Sequence, residues 1–150
     1  MLRNNLLHRT GLTLSGMLLL TPLLWASPLH DAAETNNTAR IRQLVDKGED
    51  INEIDNRGIW PLLAAASNGY TNSVELLLKL GADPNKADQY AFTALHEAAS
   101  LGHREIVDIL IGARADMNAR DTSGYSPLGY AMRSGNTETV ELLQSLGAIQ

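Results

Sequence analysis

Histidine is the side chain best suited to proton transfer or metal binding near neutral pH. The 150-residue chain carries four: His8, His30, His96 and His103. His30 and His96 close two similar tetrapeptides, Ser27-Pro28-Leu29-His30 and Thr93-Ala94-Leu95-His96. A structural task is expected of both, an imidazole hydrogen bond that ties one turn to its neighbour. Asp50, Asn52 and Asp55 suggest a calcium loop, but the spacing is wrong, no glycine holds the sixth position and no glutamate closes the loop. A Gly-rich phosphate loop, a nucleophile elbow and an HExxH pair are all missing from the sequence. With no cysteine there is neither thiol chemistry nor a disulfide. No base, nucleophile and oxyanion donor assemble. The sequence therefore assigns no catalytic residue, no metal site and no cofactor, and a non-enzyme is expected.

Recognition chemistry is better represented. Aromatic and arginine side chains are the common anchors of protein interfaces. Beyond residue 26 the aromatics are Trp60, Tyr70, Tyr90, Phe92, Tyr125 and Tyr130. Arg57, Arg120 and Arg133 lie close to them in sequence. The candidate partner-binding residues are Arg57, Ile59, Trp60, Tyr90, Phe92, Leu101, Tyr125 and Arg133.

The elements that position these residues follow from a period. Leu29, Leu62, Leu95 and Leu128 are each 33 residues from the next. A fixed period in this range signals stacked repeats. Each unit reads as turn, helix, turn, helix. Pro28, Pro61 and Pro127 suit a first helical position, with Ser27, Thr93 and Ser126 as N-caps. Gly69, Gly102 and Gly135 suit a left-handed helix end. A second helix follows with apolar residues at i, i+3, i+4: Ile41, Leu44, Val45; Val74, Leu77, Leu78; Ile106, Ile109, Leu110. Gly48, Gly81 and Gly147 close it. His30 and His96 are then two repeats apart, about 20 Å at ~10 Å per packed layer. One metal ion with ~2 Å ligand bonds cannot bridge them.

This pattern resembles the ankyrin repeat: a D-x-x-G turn, T-P-L-H-x-A-A, an inter-helix G-H, a V/I-V-x-x-L-L helix and G-A-D-x-N. It covers residues 27–150 as about four repeats, 27–54, 55–87, 88–120 and 121–150. The resemblance implies an all-α solenoid of helix-turn-helix units with β-hairpin fingers. It also implies a concave surface of fingers and first helices that binds another protein, and it makes His103 an exposed residue at a helix start. In that frame Tyr90, Phe92 and Tyr125 fall in the fingers, Trp60 and Tyr130 on the first-helix side. Four departures stand out. Trp60 replaces a capping Thr and cannot cap. Ala91 replaces a finger Gly, so a looser turn is expected there. Arg114 and Asn36 occupy positions that favour glycine. The first unit starts at its first helix, and the fourth is the least typical, as terminal caps are.

The N-terminus adds a location. Arg3 and Arg9 precede an apolar run from Gly11 to Trp25, and Ala26-Ser27 follow. This is the layout of a signal peptide over residues 1–26, and the run is shorter than the ~20 residues a membrane span needs. Without residues 1–26 the chain has 10 basic and 17 acidic residues, a net charge of −7. Such a balance disfavours nucleic acid and anionic membranes and steers partners with a basic or mixed face. The chain thus resembles small exported ankyrin proteins of the Gram-negative periplasm. An exported monomer that binds a protein is expected, without stable membrane insertion once the signal peptide is removed. An accessory or protective role (oxidant tolerance or toxin neutralisation) and a small-ligand or peptide sensor are the alternatives.

Overall fold

Proline at the first helical position loses nothing, because its missing N–H has no partner within the helix there. Pro28, Pro61 and Pro127 all use that position. The computed structural model describes residues 27–149; the expected signal peptide lies outside them. Among the described residues are eight helices: α1 (Pro28–Glu34), α2 (Thr38–Asp46), α3 (Pro61–Ser67), α4 (Thr71–Lys79), α5 (Ala94–Leu101), α6 (Arg104–Gly112), α7 (Pro127–Ser134) and α8 (Thr137–Ser145). First helices α1, α3, α5 and α7 pack side by side, second helices α2, α4, α6 and α8 form the other layer, and each helix packs on its partner. The chain is an all-helical repeat solenoid.

The core lies between the two layers. All four periodic leucines are buried, with Ala33, Ala66 and Ala99 at no measurable exposure. From the second helices come Ile41, Val74, Val107 and Leu143, also buried. Alanines keep the first helices close, so each layer buries the apolar stripe of the next. Such a stripe has no cover in an isolated repeat.

Two caps act as expected. Thr93 Oγ1 accepts from the His96 N–H at 3.4 Å and Ser126 Oγ from the Gly129 N–H at 3.2 Å. Ser27 does not cap its helix; its hydroxyl bonds His30 Nδ1 at 2.6 Å instead. The residues starting the second helices reach backward. Asn136 Nδ2 donates to the carbonyls of Ala99 and Ser100 at 3.0 and 2.8 Å, while His103 Nε2 lies 3.3 Å from the Ser67 carbonyl. His103 is therefore half-buried rather than exposed. Close approach explains Gly102 (φ +73°): a Cβ there would sit 2.8 Å from Asn136 Oδ1.

The fingers are tighter than hairpins. Among the described residues the only β pairing is an isolated bridge, Ala87 with Thr93. Each finger reverses within five residues, leaving no length for strands. An aspartate replaces the ladder: Asp55 Oδ1 accepts from the N–H groups of Arg57 and Ile59, Asp88 Oδ1 from Tyr90 and Phe92, Asp121 Oδ1 from Ser123 and Tyr125. Ala91 does not loosen its turn. It takes φ +59°, and its N–H reaches the Asp88 carbonyl at 3.0 Å, as Gly58 and Gly124 do in their fingers. A left-handed alanine costs about 1–2 kcal/mol, which the finger's other bonds offset.

Candidate protein-binding face

The fingers and first helices share one side of the stack, and inter-repeat hydrogen bonds set their spacing. His30 Nε2 meets the Ile59 carbonyl at 2.8 Å. His96 Nε2 meets the carbonyls of Ala119 and Tyr125 at 3.1 and 3.2 Å. A carbonyl only accepts, so Nε2 carries a proton in both rings; at His96 the Thr93 N–H donates to Nδ1 at 3.2 Å, which leaves that nitrogen unprotonated. The Thr122 N–H donates to the Tyr90 carbonyl at 2.8 Å, linking the third and fourth fingers. A second ladder recurs at the repeat ends: Asn52, Asn85 and Asn118 accept from the N–H groups of Asp83, Asp116 and Ile149. The 33-residue recurrence of these asparagines is the signal that reveals it.

The aromatics gather at the C-terminal half. Phe92 stacks on His96 with centroids 5.2 Å apart, and Tyr130 meets Phe92 edge-on at 5.4 Å and Tyr125 at 5.8 Å. Arg133 places its guanidinium carbon 4.5 Å from the Tyr125 ring centre. Tyr130 donates its hydroxyl to Asp121 Oδ2 at 2.6 Å. That bond, with burial, pushes Tyr130 up to about 12. The same bond holds Asp121 below the usual carboxylate range against the opposing effect of burial. Burial also pushes the His96 imidazole down, against its two carbonyl partners.

The eight candidate residues separate on this scaffold. Trp60 is not a surface anchor: it has no measurable exposure, and it makes no cap. Among the described residues its Nε1 has no hydrogen-bond partner. Repeat two has Trp60 and Leu63 where its neighbours have a hydroxyl residue and a histidine, so the large indole turns inward. Phe92 is half-buried between His96 and Tyr130, and Ile59 is half-buried against the core. Arg57 bridges Glu34 and Asp55 and ties the second finger to the first helix pair. Although burial pushes Asp55 up, the Ile59 N–H and the Arg57 side chain bring it below its ordinary value. Tyr90, Leu101 and Tyr125 remain open, at 59%, 48% and 39% exposure, and Arg133 is exposed beside Tyr125. Met132, 44% exposed, belongs with them and escaped the sequence reading because its position is an alanine in the other repeats.

Two hollows are relevant. One of about 420 Å³ lies between Tyr125, Gly129, Met132 and Arg133. A wider one of about 800 Å³ lies on the second-helix side between Arg42, Glu75, Lys79 and Ile109, with no aromatic in its lining. Among the described residues no three His, Asp or Glu side chains are placed to share a metal ion. None of these helices is long and apolar enough to cross a membrane.

A protein-family model described as ankyrin repeats in three copies matches residues 17–88 and 84–149. No curated protein matches the chain. Ankyrin repeats are generic protein–protein interaction modules and are typically non-enzymatic. The repeat turns, the inter-repeat ties and this match over most of the sequence lead to one statement: the chain belongs to the ankyrin-repeat family.

Proposed function

We propose that the protein is an exported, non-enzymatic, monomeric module that binds a protein partner on its finger and first-helix side. One observation carries this reading. Tyr90, Leu101 and Tyr125 stay exposed on that side, while the fold uses the neighbouring aromatics Trp60, Phe92 and Tyr130 internally. Exposed aromatic and arginine side chains on a rigid scaffold suit recognition, because little ordering entropy is lost on binding. A chain of net charge −7 beyond residue 26 favours a partner whose face is basic or mixed. Periplasmic location rests on Arg3, Arg9 and the apolar run after them.

The test is capture of periplasmic proteins by the native protein and by a Tyr90→Ala/Leu101→Ala/Tyr125→Ala variant of unchanged circular dichroism. The native protein retains a partner that the variant loses; equal recovery by both sinks the proposed face. For export, N-terminal sequencing of the soluble protein is the check, and an intact Met1 rejects it.

A further inference from the structure

Helix α6 ends unlike the other second helices. Its last residue is Gly112, and Ala113 follows. At the same two positions the other repeats carry Asp46-Lys47, Lys79-Leu80 and Ser145-Leu146. Neither backbone conformation nor crowding asks for this glycine: its φ is not left-handed, and a Cβ there would meet nothing within 4 Å. Glycine is also the poorest helix former after proline. Its effect is to leave room. Gly112 and Ala113 line the hollow of about 800 Å³ on the second-helix side, which is within the size range of ligand pockets. Leu78 and Ile109, both half-buried, give that hollow an apolar wall.

Of the charged residues on α2, α4 and α6, those that line it are Arg42, Glu75 and Lys79. Among the described residues none of these three side chains has an ion pair or a hydrogen bond. Glu75 and Lys79 stand four residues apart on α4, which sets their Cβ atoms about 5–6 Å apart. Arg42 stands one period before Glu75 on the neighbouring helix, at an axis-to-axis distance of about 8–10 Å. The hollow thus offers one anion and two cations on a rigid frame. A ligand of a single charge leaves one sign unmatched. A zwitterion with its charges held ~7 Å apart matches both, and that is the span of an extended dipeptide at ~3.3–3.6 Å per residue. A free amino acid, with both charges on one carbon, is too short.

We propose that this hollow binds a short peptide with free termini, a dipeptide or tripeptide. Its ammonium lies at Glu75, its carboxylate at Lys79 and Arg42, and an apolar side chain rests against Leu78 and Ile109 in the space that Gly112 leaves. The site is on the opposite layer from the finger face and does not depend on the protein-binding reading.

Isothermal titration calorimetry of the full chain with Leu-Leu, N-acetyl-Leu-Leu, Leu-Leu amide and Gly-Gly is the test. Leu-Leu binds saturably. Blocking either terminus weakens it about fivefold, the worth of one exposed ion pair, and Gly-Gly binds about tenfold more weakly because it has no apolar side chain to bury. Glu75→Gln removes the preference for Leu-Leu over its N-acetyl form, and a Lys79→Gln/Arg42→Gln variant removes the preference over the amide. Gly112→Leu fills the hollow and weakens Leu-Leu about tenfold with unchanged circular dichroism, whereas Arg133→Gln on the finger side has no effect. The proposal is overturned by an absence of saturable binding, by an N-acetyl form that binds as tightly or more tightly, or by full affinity in Gly112→Leu. It is equally overturned if both preferences persist in the glutamine variants. Partner capture through Tyr90, Leu101 and Tyr125 stands or falls separately, since none of these substitutions touches that face.

Discussion

Trp60 gives the most demanding test of the packing argument. It is fully buried in the second repeat, and Leu63 stands where His30 and His96 make their inter-repeat bonds. The indole must therefore hold by volume what a hydroxyl–imidazole pair holds elsewhere. Burying some 150–250 Å² at about 25 cal/mol per Å² contributes about 4–6 kcal/mol as an upper bound. Its unpartnered Nε1 offsets about 1–3 kcal/mol of that. Trp60→Ala is then expected to cost about 1–5 kcal/mol, a range that includes the ~3–5 kcal/mol usual for truncating a core aromatic. Trp60→Phe keeps one ring and removes the unpartnered donor, so its cost is expected within about 1 kcal/mol of zero, the donor's relief offsetting the lost ring atoms. Urea unfolding followed by far-UV circular dichroism measures both. A loss below about 1 kcal/mol for Trp60→Ala would show that the ring is not a core element. Equal losses for the two variants would contradict the argument that the indole N–H lacks a partner.

Other consequences follow from the same contacts. His96 has its folded pKa lowered by burial from 6.5; the unfolded chain binds more protons between the two values, so the stability it contributes is complete above about pH 6.5 and falls as pH drops below it. Urea midpoints at pH 8, 6.5 and 5 should decline in that order, and His96→Gln should flatten the trend; a pH-independent native protein would refute it. Tyr130, raised to about 12, should ionise last in a spectrophotometric tyrosine titration, and Asp121→Asn should bring it down. Because the folded value is raised, stability from this bond is kept at lower pH and lost as pH climbs past 10. Gly102→Ala should destabilise more than Gly81→Ala in thermal melts. Both have positive φ, but only at Gly102 does the new Cβ meet a side chain, Asn136, at 2.8 Å; equal effects would show that the contact relaxes freely.

Much of the scaffold was legible in the residues alone. Leucine, alanine, proline and glycine recur every 33 positions because every layer repeats the same contacts with its neighbours. Local chemistry then dictated the finger aspartates, the Pro N-termini and the left-handed Gly positions, each satisfied within a few residues. The histidine ties were readable too, since a period that places each imidazole also places its acceptor in the next repeat.

Which aromatics remain available was decided by tertiary structure. Trp60 and Tyr125 are both large rings beside a first helix, yet one is sealed in the core and the other lies open under Arg133. The difference is whether a following layer covers the ring and whether a partner such as Leu63 leaves it room, and neither is written in local spacing. Met132 makes the same point from the other side: an apolar residue at a core position is exposed because no described layer stacks beyond it. Periodicity determines contacts that every repeat shares. Exposure at the breaks in the period depends on what lies across the interface, and only the folded stack specifies that.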